Sequence, residues 1–457
     1  MLTTAFPPVG AWWMALPALL ILLFLVERCA HEPRSLLRQV ALPFSLSFFA
    51  IMLYGLRTVD AYVGPALALA AWLGTTVGMA AFWVMGFALY AYGRQFRYPI
   101  NLLWFFCIWV TVEVLRSAGP WASTLGVPWT PLIEAPFLPL WARLTGFWGF
   151  GLLLLAWIWV LYSALRLLRQ QRYGWGLLGF NGALLLLFSL CLGGRLMLPS
   201  LGSVPVTHPL RGKSVALLQG NFDQRHKLDP AYFNEMRDYY IDATQTLPAS
   251  VDLALWPETV VPTFLTEDPV FRLRMAQTLA GRKTQVIFGV PLRDKKNWYY
   301  NSAVLCDAAG LKGIYNKTAL VPFGEYVPLR RIINPLLHHS AFLQDDYRPG
   351  PYTHPIATAL GGAGVMICFE STLPQYAAKH QQDAADWLLV LTNDAWFLDS
   401  PLAALHLQMS RWRAVEAGLP LFFVGNSGIS AVVDAAGRIK ELLPLGKRGR
   451  IIYHFTE

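Results

Sequence analysis

The 457-residue chain is 55% hydrophobic and only 14% charged, against roughly a quarter charged residues in an ordinary soluble domain. The deficit is uneven. The chain is apolar and rich in tryptophan up to about Leu198 and reads as an ordinary globular domain from Arg211 onward, so two units fit better than one. The net charge of +9 lies largely in short clusters between apolar runs, with no basic helix or aromatic RNA-binding signature, which argues for topology signals and against nucleic acid as a partner. The five cysteines (Cys29, Cys107, Cys191, Cys306, Cys368) are scattered, with no CxxC or Cys/His cluster. Their odd count argues against a full disulfide framework, and neither a metal nor a cofactor is expected.

Six apolar runs come first, at about 11–26, 40–56, 65–91, 99–115, 143–165 and 174–194. A helix needs roughly 20 apolar residues to cross a hydrocarbon core about 30 Å thick. One such run is commonly a buried core helix, but six in succession predict a membrane domain. No small-residue cleavage site follows the first run, which disfavours a cleaved signal peptide. Arg28, Arg34 and Arg38 follow the first run, Arg94 and Arg97 the third, and Arg166, Arg169 and Arg172 the fifth. The opposite loops carry only Arg57 and Arg116. The positive-inside rule makes the first set cytoplasmic. Both the N-terminus and everything after the sixth run are then expected outside, in the periplasm of a Gram-negative cell. Glu113 and Arg116 are expected as an interfacial ion pair three residues apart. Trp121 and Trp129 are expected either as interfacial anchors or as the lining of a lipid access path.

From Lys213 the pattern changes to short apolar runs alternating with helical stretches. Expected strands are Ser214–Gln219, Leu253–Trp256, Gln285–Val290, Ser302–Cys306, Gly313–Tyr315, Gly364–Cys368, Trp387–Leu391, Leu421–Val424 and Ile429–Val433. Expected helices are Pro230–Thr246, Phe271–Ala280 and Ser410–Ala417. This alternation predicts an α/β domain with its sheet covered on both faces. The expected layout is a membrane domain over 1–198, a linker over 199–212 and a periplasmic catalytic domain over 213–457.

Polar groups stand just past several strand ends, where ligands bind in α/β folds. Glu258 follows ALWP, Cys368 follows GVMI, Asn393 and Asp394 follow LLVLT, and Lys317 closes YNK. Alone, each would be a solvated charge or a small buried hydrophobe. Together, in this order and 59 and 51 residues apart, they make a chemical set. Glu258 can take the thiol proton as general base, because only the thiolate is a good nucleophile. Lys317 can stabilise the tetrahedral oxyanion, with the backbone N–H of Phe369 as a second donor.

The Glu–Lys–Cys set in these contexts resembles the nitrilase superfamily. With the apolar half it is similar to the bacterial apolipoprotein N-acyltransferases. The matching segments are FPPVGAWW, LLQGNFDQ, LALWPETVVP, YNKTALVPFGEYVPL, RPGPY, ICFES, LTNDAWF, HLQMSRWRAVE and NSGISAVV. The resemblance implies a multi-span helical membrane domain followed by an α-β-β-α sandwich. It implies that the cysteine takes an acyl chain from the sn-1 position of a phospholipid donor and passes it to the α-amino group of a lipoprotein acceptor. Glu258, Lys317 and Cys368 match the family triad, Glu325 a second active-site glutamate that would hold Lys317 charged, and Glu370 the acidic residue two after the cysteine.

The chain departs from the family pattern at several places. The pattern carries a further apolar helix before the FPPVGAWW segment and another after the last strand. Leu228, Phe369 and Phe423 stand where a tryptophan, a tyrosine and an arginine are expected. Three other readings keep the same motifs: a TraB-like nitrilase homologue of conjugal transfer, a membrane-tethered amidase, and a non-catalytic assembly scaffold. Retention of all three triad residues argues against the scaffold.

Overall fold

The apolar runs fold as helices, and their surfaces explain why they need an apolar solvent. The computed structural model describes every residue except 30–31, 94–99, 202–207, 332–345, 353, 398–399 and 456–457. The chain divides into one unit of Met1–Asp60 with Pro65–Pro199 and another of Ala61–Gly64 with Ser200–Glu457. The expected 199–212 linker falls partly outside the described residues.

In the first unit, Trp12–Cys29, Pro33–Met52, Pro65–Tyr92, Leu138–Arg169 and Tyr173–Pro199 are long and apolar enough to cross a membrane. Ile100–Arg116, at 17 residues, covers the fourth expected run. Only 11% of the apolar window in Tyr173–Pro199 is buried, and Leu178, Leu185, Phe188 and Leu196 on it are exposed. A helix apolar on all sides with so little protein around it is solvated by lipid, and the chain is an integral membrane protein. The helix around Pro43 widens into a π turn over Leu36–Ala41, which accommodates a residue that cannot donate its N–H to a regular ladder.

One expectation for this unit is sharpened and one corrected. Glu113 and Arg116 form the expected pair three residues apart, with both side chains fully buried within the protein. Arg116 donates Nε and Nη2 to Glu113 Oε2 at 2.9 and 2.6 Å, and Nη1 to the Leu125 carbonyl at 2.7 Å. Trp83 Nε1 donates to Glu113 Oε1 at 2.7 Å. A charge pair in an apolar bundle persists only when hydrogen bonds satisfy it this completely. Trp129 is likewise core, with no exposed surface. A Cβ on Gly151 would come within 2.6 Å of its ring, so only glycine admits this packing. Trp121, by contrast, is 53% exposed.

The second unit contains twelve described strands: β1 (Ser214–Gln219), β2 (Leu253–Leu255), β3 (Gln285–Arg293), β4 (Tyr299–Asp307), β5 (Gly310–Asn316), β6 (Ile356–Thr358), β7 (Gly361–Ile367), β8 (Trp387–Thr392), β9 (Leu421–Gly425), β10 (Ser430–Val433), β11 (Ile439–Leu443) and β12 (Gly449–His454). They form two six-stranded sheets ordered β12-β1-β2-β3-β4-β5 and β11-β10-β9-β8-β7-β6. Each has three parallel strands in sequence order, β1 to β3 and β7 to β9, flanked by antiparallel ones.

Strand alternation builds the layers. Val215, Leu217, Leu253 and Leu255 meet Val365, Ile367, Leu389 and Leu391 between the sheets. The alternate residues Ala216, Leu218, Ala254 and Trp256 face Met236, Tyr240, Phe271 and Met275 of helices Phe233–Gln245 and Pro269–Leu279. On the far side Met366, Leu388, Val390 and Phe423 face Ala377, Leu407 and Ala414 of helices Pro374–Gln382 and Leu402–Ala417. The result is the α-β-β-α sandwich. The strands β6, β11 and β12 were not expected. The first has three residues, β11 is mostly exposed, and β12 has only Ile451 fully buried, so none reads as a buried run.

Candidate active site

Glu258 is held by backbone before it is held by side chains. Trp256 N–H donates to the Ile287 carbonyl at 2.9 Å, Gly289 N–H to the Pro257 carbonyl at 3.1 Å, and Val260 N–H to the Gly289 carbonyl at 3.1 Å. The segment after β2 therefore lies flat on β3. A Cβ at Gly289 would come within 2.5 Å of Glu258 Cα, so the close approach requires glycine.

Lys317 leaves β5 clamped from both sides. Its N–H donates to the Asn301 carbonyl at 2.8 Å, and its carbonyl accepts from Gly350 N–H at 2.8 Å. Lys317 Nζ donates to Glu325 at 2.9 Å and lies 3.7 Å from Glu258 Oε1. Asn301 Nδ2 donates to Glu258 Oε1 and to Glu325 Oε1, each at 2.7 Å. Glu325 also accepts from Val321 N–H at 2.8 Å. Burial alone would lower the Lys317 pKa, but Glu325, Glu258 and Cys368 outweigh it and hold the ammonium charged.

Cys368 follows β7 at the start of a short 3₁₀ turn, with φ of 53°. A non-glycine residue in this left-handed region costs roughly 1–3 kcal/mol, and it turns the side chain sharply out of the strand line. Burial raises the thiol pKa most and the Glu258 charge adds to this, while Lys317 opposes them. The resting site therefore holds a thiol whose proton needs a base.

Glu370 anchors this turn to the lysine loop. It is fully buried, and its Oε2 accepts from Ile367 N–H at 2.7 Å and Tyr315 Oη at 2.9 Å. Its Oε1 accepts from Thr318 N–H at 2.7 Å, Thr318 Oγ1 at 2.8 Å and Ala319 N–H at 3.0 Å. These bonds tie the residues after Lys317 to those before Cys368. Burial raises the carboxyl pKa against the pull of the backbone donors. Phe369 is half-buried within the turn, its carbonyl accepting from Thr372 Oγ1 at 2.8 Å.

Asn393 is buried just past β8. It donates to Gln224 Oε1 at 2.6 Å and accepts from Asn426 Nδ2 at 3.0 Å. It braces the loop after β1 against the loop after β9. Glu258, Lys317 and Glu325 thus come together around Asn301, with Cys368 coupled to them electrostatically, while Glu370 and Asn393 hold the surrounding loops.

Three site residues escaped sequence reasoning. Asn301 is one polar position in a β-strand, and no motif marks it. Lys227 is buried, with Nζ donating to the Glu258 carbonyl at 3.0 Å. His406 lies beneath the cysteine turn, and its only signal is its place in HLQMSRWRAVE. Its Nε2 is 3.0 Å from the Cys368 carbonyl and its Nδ1 is 3.1 Å from Asp394 Oδ1. Among the described residues no three His, Cys, Asp or Glu side chains cluster to hold a metal ion.

The carbon-nitrogen hydrolase family matches residues 214–456, and the apolipoprotein N-acyltransferase N-terminal domain matches residues 1–159. The chain is 32% identical to the apolipoprotein N-acyltransferase of Azotobacter vinelandii, covering 89% of this chain and 83% of that one. The chain belongs to the apolipoprotein N-acyltransferase family. A second member, from Geobacter metallireducens, is 30% identical over 97% of this chain and 85% of its own. A third, from Pseudomonas putida, is 32% identical over 87% and 79% respectively. Among solved structures, Saccharomyces cerevisiae Nit3 of the nitrilase superfamily aligns with 53% of this chain and 89% of its own, at 19% identity and a TM-score of 0.41. An N-acyltransferase of this family thus combines a membrane-spanning unit with a carbon-nitrogen hydrolase unit in one chain.

Proposed function

We propose that the protein transfers an acyl chain from a phospholipid to the N-terminal diacylglyceryl-cysteine of apolipoproteins, through a thioester on Cys368. Membership of the apolipoprotein N-acyltransferase family over most of the chain carries this reading. The TraB-like and amidase readings are not favoured, because the match includes the N-terminal domain of that family.

In the first half-reaction the Cys368 S–H bond breaks and its proton passes to Glu258. The thiolate attacks the ester carbonyl carbon, forming C–S. Lys317 and the Phe369 N–H stabilise the oxyanion. The C–O bond then breaks, and Glu258 returns the proton to the leaving lysophospholipid oxygen. In the second half-reaction the acceptor amine forms C–N and C–S breaks. Glu258 relays the amine proton to the departing thiolate. Glu325 and Asn301 keep Lys317 charged and Glu258 oriented throughout. The Lys317–Glu325 distance of 2.9 Å against 3.7 Å to Glu258 supports this division of labour, since it leaves Glu258 free to accept a proton.

Both substrates are lipid-anchored, which fits a site borne by a membrane-spanning chain. The arginine asymmetry supports a catalytic unit on the periplasmic face of the inner membrane. Reporter fusions after Arg34, after Arg57 and at the C-terminus test this orientation. Cytoplasm-only activity of the C-terminal fusion overturns it. The activity itself is tested by complementing a bacterial cell depleted of its own apolipoprotein N-acyltransferase. Rescue of growth is expected. Failure of a chain that is expressed and inserted overturns the reading.

A further inference from the structure

Lys227 has no part in the reaction just described, yet its surroundings are unusual for a lysine. It lies on the short helix Gln224–Leu228 and is 6% exposed. An ammonium has three N–H donors. Among the described residues one of them is used, toward the Glu258 carbonyl at 3.0 Å. The side chain of a buried lysine is normally neutralised or paired. Here the acidic groups acting on it are the Glu258 carboxylate and, once ionised, the Cys368 thiol.

The charge balance of the site explains why a cation belongs there. Glu258 and Glu325 bring two negative charges against the single positive charge of Lys317. That leaves the thiol facing net negative charge, which opposes ionisation. Lys227 cancels the excess. When the Cys368 proton moves to Glu258, negative charge shifts from carboxylate to sulfur inside a site that stays neutral throughout.

We propose that Lys227 is the second cation of the acylation site, a positioning residue that fixes the Glu258 backbone and whose charge stabilises the Cys368 thiolate. This rests on Cys368 being the nucleophile. The covalent change it assists is one proton transfer, S–H to carboxylate, with no other reactant. Burial pulls the Lys227 ammonium down to about 8, with Glu258 and Cys368 opposing. Its charge is therefore lost on mild alkalinisation. The other charged groups nearby are Lys317 and Glu325 beyond Glu258, Asp394 with His406 beyond Cys368, and His226 with the Asp223–Arg225 pair on its own turn.

The test reads thiolate formation without any lipid. The full-length protein in detergent micelles is alkylated with iodoacetamide from pH 6 to 10, and the rate at the Cys368 peptide is followed by mass spectrometry. Lys227→Gln is expected to slow alkylation at pH 7.5 by about tenfold, which is one unit of thiol pKa. Lys227→Arg, charged at every pH used, is expected to stay within about threefold of the unaltered protein. Its curve should also be that of a single ionisation, where the unaltered protein's is broadened above pH 8. A Lys227→Gln curve that overlays the unaltered one overturns the proposal, as does an arginine variant as slow as the glutamine one. If thermal unfolding shows that Lys227→Gln does not fold, the arginine variant decides alone, and a broadened curve there overturns the proposal. Because iodoacetamide needs no lipid substrate, a failure of acyl transfer to lipoproteins is read separately from a failure of this role.

Discussion

The Cys368 carbonyl oxygen lies 3.0 Å from Nε2 of His406, while Nδ1 of the same ring lies 3.1 Å from Asp394 Oδ1. A carbonyl and a carboxylate only accept hydrogen bonds, so the protonated ring serves both at once, while Ser371 Oγ lies 2.9 Å from the same Nε2. The ring holds the strained cysteine turn from below. Ser371 reinforces it, donating Oγ to the same carbonyl at 2.9 Å.

That relationship predicts a pH-dependent stability. Burial works against the His406 charge, but Asp394 and the Cys368 carbonyl outweigh it and raise the pKa above its ordinary value of 6.5. The unfolded chain has the ordinary value. The stabilisation is therefore fully present below about pH 6.5 and is lost as pH rises through the higher folded value. The unfolding temperature of the unaltered protein is expected to fall as pH rises above 7, and His406→Gln should remove part of that slope. Thermal unfolding between pH 5 and 9 measures it. Parallel curves for the two proteins would mean the ring is neutral in the fold.

The proposed triad predicts separable defects. Cys368→Ser is expected to abolish the acyl adduct formed with phospholipid on the peptide that holds it, because a hydroxyl ionises far less than a thiol. Cys306→Ser should leave the adduct intact. Cys306 is buried and its thiol is pushed up to about 12, chiefly by burial, so it is unreactive. Glu258→Gln and Lys317→Met should each slow adduct formation by at least about 10²-fold, the scale of a lost base or oxyanion donor. Intact-mass and peptide mass spectrometry provide the readout. Near-normal acylation by either folded variant would remove that residue from the mechanism.

What the sequence made legible, and what it hid, follows from how each residue is used. Glu258, Lys317 and Cys368 sit at strand ends, where a polar residue after an apolar run is visible in one dimension. Asn301 and Lys227 act by meeting residues 24 to 43 positions away in one case and 31 in the other. No local pattern encodes such a meeting. Glu370 was legible as an acidic neighbour of the cysteine, but its work as a bolt between two loops depends on donors 51 to 55 residues distant. The edge strand β12 was missed for a related reason. Its partner β1 is buried throughout, whereas in β12 only Ile451 is fully buried.

Glu370→Gln tests the bolt. The carboxylate accepts five hydrogen bonds, three of them from backbone N–H groups. An amide offers one acceptor oxygen and turns an NH₂ toward donors. Buried N–H groups left without an acceptor cost about 1–3 kcal/mol each. The variant is expected to unfold at a markedly lower temperature and to lose acylation with it. Glu370→Asp keeps the charge but falls short by one methylene, so it should be intermediate. A Glu370→Gln protein with unaltered unfolding temperature and slow acylation would instead make Glu370 a participant in the chemistry.

The buried Glu113–Arg116 pair in the membrane unit predicts an order of stabilities. Removing Arg116 alone leaves the Glu113 carboxylate unpaired in an apolar bundle. Breaking a buried pair in this way costs about 3–5 kcal/mol, whereas replacing both partners is often nearly neutral. Arg116→Met is therefore expected to lower the unfolding temperature in detergent micelles more than the double variant Glu113→Gln with Arg116→Met. Glutamine keeps an oxygen for the Trp83 indole, which donates to Glu113 at 2.7 Å. Methionine keeps the length of the arginine stem, and beyond the ion pair the double variant forfeits the Arg116 Nη1 bonds to the Leu125 carbonyl at 2.7 Å and to Met79 Sδ at 3.6 Å, and the guanidinium's place over the Phe49 ring. Thermal unfolding of the three full-length proteins side by side gives the order. If Arg116→Met is at least as stable as the double variant, the carboxylate does not depend on the guanidinium, and the pair is held instead by its neutral partners.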